Sequence, residues 1–228
     1  MGGMSREISS DEFHEALHSL RVWDVPLPVF EPGQAPEEPV GLFREWFVGA
    51  VGAGQAEPHT MSLATVDAEG RPDVRTLMLH DADERGWHFA SHATSTKGVQ
   101  LAGQPAAALG FYWPAVGRQV RVRGRVGACG PRESRADLAV RSRGALAAAL
   151  TGRQSEVLGS REELVRASAA AWERAGAEPD APAPTWTRYV LEADEVEFFQ
   201  GDAERRHVRL RYRRDPATGG WARELLWP

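Results

Sequence analysis

The side chains best suited to chemistry in this chain are cations and amides placed where a strand ends or a helix begins. Arg75 opens a strand-like run over 74–80. Ser95 and Lys97 stand at the start of a short helical segment, where unpaired backbone N–H groups and the helix dipole favour a phosphate. Gln154 and Ser155 follow Gly152 in a loop. Such a set suits a phosphorylated ligand with a polar ring: guanidinium and ammonium groups meet the phosphate, and each carboxamide offers a ring edge both donor and acceptor. Taken singly, each residue is equally accounted for by helix capping or surface solvation. Further on, Arg205, Arg206, Arg209, Arg211, Arg213 and Arg214 crowd the C-terminal part, which reads either as a solvated strand face or as a site for a small anion.

Other chemistries lose weight. The chain has no G-x-G-x-x-G, no Walker loop, no H-E-x-x-H and no G-x-S-x-G. Cys129 is the only cysteine, so an intramolecular disulfide is excluded and no metal site is expected. A net charge of −5 gives no reason to expect a nucleic-acid partner. No apolar run approaches the roughly 20 residues needed to cross a bilayer. Residues 1–10 lack the basic-then-apolar pattern of a signal peptide, so a cytoplasmic protein is expected.

The elements that must position these residues are legible in outline. Ser9-Ser10-Asp11-Glu12 starts a helix, with Phe13, Leu17 and Leu20 at helical spacing. Pro26, Pro28, Pro32, Pro36 and Pro39 then enforce an extended arm. A second helix runs from Pro39, with Leu42, Phe43, Trp46 and Phe47 as its apolar stripe. Strands are expected at 61–66, 74–80, 87–91, 106–113 and 119–126, with polar turns at 67–70 and 81–86 and a Ser-capped helix at 95–101. In the fifth strand Val120, Val122 and Gly124 alternate with Arg121, Arg123 and Arg125, giving one buried and one wet face. Helices follow at 131–143 and 160–176, the second with Leu164, Ala167, Ala171 and Trp172 on one side. Strands return at 186–199, 207–213 and 221–227. Antiparallel hairpins with helices around them predict an α+β fold, a Greek-key barrel closed so that no sheet edge is left exposed. An arm over 1–38 and one domain over 39–228 complete the expected organisation.

Several linked segments resemble the pyridoxamine 5'-phosphate oxidase family. Arg75-Thr76-Leu77-Met78-Leu79-His80 is similar to its R-x-V-L-L-K strand, and 89–98 to its F-Y-T-N-x-x-S-R-K-G. Phe111-Tyr112-Trp113-Pro114 with Arg118-Gln119-Val120-Arg121-Val122, then Glu197-Phe198-Phe199-Gln200-Gly201 and 205–212, continue the likeness in the family's order. The resemblance implies a split β-barrel homodimer with FMN at the subunit interface. It carries FMN contacts to Arg75, Thr76, Leu77, Met78, Ser91, Lys97, Gln119, Gln154, Ser155, Phe199 and Arg209, with Ser95 assisting at the phosphate. Arg205 and His207 match the R-x-H pair on the substrate side of the flavin, one placing the substrate and the other handling a proton. The implied activity is oxidation of a small metabolite by FMN, with O2 as the final acceptor and hydrogen peroxide as a product.

The chain departs from the family where the substrate's phosphate is held. The family's Lys, Tyr and Ser positions are His80, Asp137 and Ala145, and only Arg141 matches. Asp137 either stands beside the ligand, where it repels a dianion, or faces solvent on its helix. Thr96 replaces an Arg and Phe199 a Trp, which predicts looser FMN binding. The arm at 25–30 and the segment 152–158 resemble the family's phenazine-biosynthesis branch, which oxidises reduced tricyclic aromatic acids. Three readings follow: an FMN-dependent oxidase of secondary metabolism; a pyridoxine/pyridoxamine 5'-phosphate oxidase; and a non-catalytic flavin-binding barrel.

Overall fold

A computed structural model describes residues 6–228. Among the described residues nine strands form one antiparallel sheet: β1 (Thr60–Val66), β2 (Pro72–Met78), β3 (Asp81–Asp83), β4 (Gly86–His92), β5 (Ala106–Trp113), β6 (Arg118–Ala128), β7 (Trp186–Gln200), β8 (Val208–Arg214) and β9 (Trp221–Leu226). Their order is β2-β1-β5-β6-β7-β4-β3, with β8 between β7 and β9. β7 is long enough to serve two partners on one edge: Trp186–Leu191 pair with β4, and Glu195–Gln200 pair with β8. Its other edge runs along β6.

The sheet curls without closing. Leu79 N–H donates to His59 O at 2.8 Å, extending the β1–β2 ladder, and His80 N–H donates to His88 O at 2.8 Å, extending β3–β4. The two ends of the strand order are thus joined by the chain itself at Leu79–His80, and no ladder links β2 to β3 among the described residues. The barrel is split rather than closed, which corrects the closure argument from edge protection. Two further expectations change. The polar segment 81–86 contains β3, a strand formed by pairing with β4 rather than by any apolar alternation of its own. The single helix expected over 131–143 stops as α4 (Pro131–Ala139) in the numbering that begins with α1 (Ser10–Ser19), α2 (Pro39–Gly52) and α3 (Thr96–Gly103). A separate α5 (Arg143–Thr151) follows, capped by Ser142, and then α6 (Arg161–Ala177).

Aromatic packing fills the barrel. Phe43 of α2 meets Trp87, Phe111 and Trp113, and Trp46 meets Phe30 and Phe198 edge-on. Val120, Val122 and Val126 point inward while Arg121, Arg123 and Arg125 stay outside, as the alternation predicts. At Gly124 the β6–β7 register slips, and a Cβ there would stand 1.9 Å from Glu192 O, so only glycine fits the bulge. A smaller cluster of Leu138, Leu146, Ala147, Ala149, Ala171 and Ala175 joins α4, α5 and α6 and packs against Trp186. On α6 only Ala171 of the expected stripe is buried; Leu164 and Trp172 are exposed, and the Arg143 guanidinium lies over the Trp172 ring.

Candidate functional site

Lys97 is the most unusual residue of the first cluster. It sits in the first turn of α3 and is only 6% exposed. Its ammonium donates to Ser91 Oγ at 3.2 Å, Gln154 Oε1 at 3.1 Å and Ser95 Oγ at 3.4 Å. All three partners are neutral oxygens. Burial pushes its pKa below the ordinary lysine value, the nearby Arg75 charge adds to this, and Asp73 opposes it. Ser95 caps α3 by accepting from Gly98 N–H and donates to His92 O at 2.7 Å. Gly98 lets the helix end press on β4: a Cβ there would meet Ala93 O at 2.4 Å and His92 O at 2.5 Å.

Arg75, less buried than Lys97, is held by partners of its own. Its guanidinium donates to Thr65 Oγ1 at 2.6 Å, Leu63 O at 3.0 Å, Asp73 Oδ2 at 2.6 Å and Gln100 Oε1 at 3.0 Å. Thr96 N–H reaches Ser155 Oγ at 3.2 Å, and Ser155 adopts φ +74°, which ties the 152–158 loop to the start of α3. The structure therefore brings Arg75, Ser91, Ser95, Lys97, Gln154 and Ser155 together. Sequence reasoning missed Thr65, Asp73 and Gln100, whose part is to hold Arg75; nothing in their spacing marks them.

A cleft of about 580 Å³ opens from this cluster, lined by Thr76, Leu77, Met78, Ser91 and Gln154 and, at its far end, by His80, Arg141, Ala145 and Trp186. Asp137 lies behind that end, 5% exposed, and does not face solvent. Its Oδ1 is 2.9 Å from His80 Nδ1 and accepts from Arg141 Nη2 at 2.9 Å; its Oδ2 accepts from Trp186 Nε1 at 3.3 Å. Burial alone would raise this carboxyl, but the His80 and Arg141 hydrogen bonds and charges outweigh it and hold it well below the usual carboxylate range. Trp186 is a further residue the sequence did not mark: its role comes from β7 reaching α4, a contact 49 residues apart.

The remaining candidates form another group across the sheet. Gln119 pairs with Phe199, and Phe199 with Arg209. Arg209 donates to the buried Glu197 at 2.9 Å and to Trp227 O at 2.8 Å. His207 Nδ1 accepts from Asp202 N–H at 3.0 Å, so the neutral ring carries its hydrogen on Nε2. Arg205 is exposed at φ +66° in the turn before β8. Trp23 of the N-terminal arm packs edge-on against His207 at 5.4 Å and beside Phe199 at 6.1 Å, its Nε1 buried and unpartnered. Gln119 shares a groove with Thr76. Phe199, Arg205, His207 and Arg209 do not reach the cleft: the row Thr76, Ser62, Gly110, Arg121, Glu197 spans four strand spacings, about 19 Å at ~4.8 Å each. The outward face between the two groups carries exposed Val74, Met78, Tyr112 and Trp227.

The family model for pyridoxamine 5'-phosphate oxidase matches residues 49–175, and that for the pyridoxine 5'-phosphate oxidase C-terminal dimerisation region matches 186–228. Pyridoxine/pyridoxamine 5'-phosphate oxidase of Pseudomonas fluorescens is 43% identical over 198 residues, covering 86% of this chain and 91% of the relative. That of Azotobacter vinelandii is 44% identical over the same shares. Among solved structures, PhzG of Burkholderia lata, in complex with tetrahydrophenazine-1-carboxylic acid, superposes with a TM-score of 0.82 at 32% identity, covering 90% of this chain and 98% of PhzG. An FMN-binding, pyridoxamine 5'-phosphate oxidase-related protein of Nostoc punctiforme gives a TM-score of 0.68 at 22% identity over 82% and 97%, a likeness of fold. With one family model spanning more than half of it and full-length relatives above 40% identity, this chain belongs to the pyridoxamine 5'-phosphate oxidase family.

Proposed function

We propose that the chain is an FMN-dependent oxidase acting as a homodimer on a small reduced or amine-bearing metabolite, with O2 as the electron acceptor and hydrogen peroxide as a product. The observation that carries this is Lys97: a buried ammonium among neutral oxygens, with Arg75 beside it, fits a phosphate dianion. The cofactor of the family is FMN, and the first cluster suits its phosphate. Ser91, Gln154 and the 76–78 edge of β2 extend from there along the cleft as contacts for the rest of the molecule. FMN supplies the two-electron chemistry when bound.

The chain's own groups divide the remaining work. His80 Nδ1 faces the Asp137 carboxylate, which keeps the hydrogen on Nδ1 and leaves Nε2 as the acceptor of a proton. Arg141 orients an anionic group at the end of the cleft. Gln119 borders the same chain's groove with Thr76, whereas Phe199, Arg205, His207 and Arg209 are supplied by the second subunit. This arrangement is supported by the strand-row separation, by the exposed apolar side chains between the two groups, and by the dimerisation-region match.

Purified protein reconstituted with FMN should hold one flavin per chain, stay dimeric, and release peroxide when its substrate is added in air. Protein that remains colourless after FMN addition overturns the reading. Pyridoxine/pyridoxamine 5'-phosphate oxidation is the second reading, favoured by the names of the relatives above 40% identity. Turnover of pyridoxine 5'-phosphate at about 1 s⁻¹ or faster would establish it. A reduced tricyclic carboxylic acid, the kind of ligand bound by PhzG, is the substrate class to set against it.

A further inference from the structure

The far end of the cleft holds a charge arrangement that its own residues settle among themselves. Asp137 takes hydrogen bonds from His80, Arg141 and Trp186, and all three of those donors line the cleft. What is left for a ligand is the rest of the Arg141 guanidinium, whose Nε is buried with no partner among the described residues, and the outer edge of the His80 ring. Ala145 and Ala148 on the same wall add no donor, and Glu57 on the rim adds negative charge. His92, also on the wall, is engaged with Thr185 Oγ1 at 2.8 Å. The formal charge of Asp137, Arg141 and His80 together is zero with His80 neutral and one positive with it protonated. A phosphate monoester carries about two negative charges at neutral pH. From this chain's own residues at that end it would face at most one compensating charge, and it would stand against the buried Asp137 carboxylate. A carboxylate brings a single charge and two in-plane oxygens, which suit the unused edge of Arg141. The other walls, Leu77, Met78, Ala90 and Trp186, are apolar.

We propose that Asp137 is a built-in counter-ion that fixes the charge class of the substrate: by engaging His80 and Arg141 from behind, it makes the cleft select an apolar molecule bearing one carboxylate and reject a phosphate monoester. Asp137 is a specificity-determining residue that acts through its two partners. The inference rests on reading this cleft as the substrate end of the flavin site.

Benzoate and phenyl phosphate form a matched pair of probes that differ in head-group charge. Calorimetric titration of the FMN-loaded protein should show benzoate binding at least about tenfold tighter than phenyl phosphate, roughly 1.4 kcal/mol. Asp137→Asn keeps the shape, removes the negative charge behind Arg141 and His80, and should tighten phenyl phosphate by about tenfold or more. His80→Lys adds a positive charge with Asp137 in place and should move the ratio in the same direction, so the test survives if the first variant does not fold. Equal affinities in the unaltered protein, failure of both probes to bind it, or an unchanged ratio in a folded variant would overturn the proposal. FMN content is measured on the same preparations: failed loading counts against the flavin reading, whereas full loading with an unchanged ratio counts against Asp137 alone.

Discussion

At the scale of single residues, burying the Lys97 ammonium destabilises the folded chain. Its folded pKa lies below the unfolded value, so the native state binds protons less readily. The penalty is complete below the folded pKa and disappears as pH rises through the unfolded one. Lys97→Met should therefore raise the melting temperature of the FMN-free protein at neutral pH, read by thermal scanning. The same change should weaken FMN by roughly 10- to 100-fold, the equivalent of a charged hydrogen bond of about 1.5–3 kcal/mol. A lowered melting temperature would mean that the ammonium is a structural tie and not a ligand-directed charge. Lys97 and Ser95 were legible because a Ser cap followed by a cation at a helix start has a physical reading of its own. The environment of Asp137 was not legible: its three donors come from β7, the α4–α5 turn and the β2–β3 junction, and the sequence left solvent and ligand equally open.

At the scale of elements, two packing relations support the site. Gly98 allows α3 to approach the end of β4, so Gly98→Ala must shift the helix that presents Lys97. FMN affinity should fall by about tenfold or more with the circular dichroism spectrum unchanged, as expected when a ligand group is displaced without unfolding. The β3–β4 hairpin, which leads into the cleft wall, is pinned by Asp83 Oδ1 at 2.7 Å from Nε2 of the buried His88. Burial would raise the Asp83 carboxyl, but the His88 hydrogen bond, the Arg85 backbone N–H and both charges bring it down to about 2. The folded pKa is depressed, so this contribution is present above the unfolded value and is lost as pH falls through the folded one. Asp83→Asn should lower the melting temperature at neutral pH, and the gap to the unaltered protein should close between about pH 4 and pH 2. The alternation over 119–126 gave β6 directly, because a half-buried strand writes its two faces into the sequence. β3 escaped because its three residues owe their pairing to β4. α5 escaped because RGALAAALT is nearly uniform in polarity, although its Ser142 cap and the Gly152 that closes it were signals in plain view.

At the scale of the whole molecule, the split barrel separates what the site needs. The strand-row distance puts the Lys97 cluster and the Phe199–Arg209 cluster on different parts of one sheet, which no local motif discloses. Two variants, Lys97→Met and Arg209→Ala, should each lose most of their activity alone at an FMN concentration that just saturates the unaltered protein. Mixed, dissociated and reassembled, they should recover about a quarter of the normal activity, since half of the two-fold dimers are mixed and each mixed dimer has one intact site. No recovery, in a sample shown by mass to contain mixed dimers, would place both groups in the same subunit. One consequence follows from β7 serving β4 at one end and β8 at the other. On the proposed two-subunit site, a solitary copy of this chain carries two fragments of a site and no whole one, so dilution should act as an inhibitor. Cofactor and second copy must bind with mutual reinforcement: each stabilises the state the other requires, and specific activity should climb with protein concentration until every copy has found its pair.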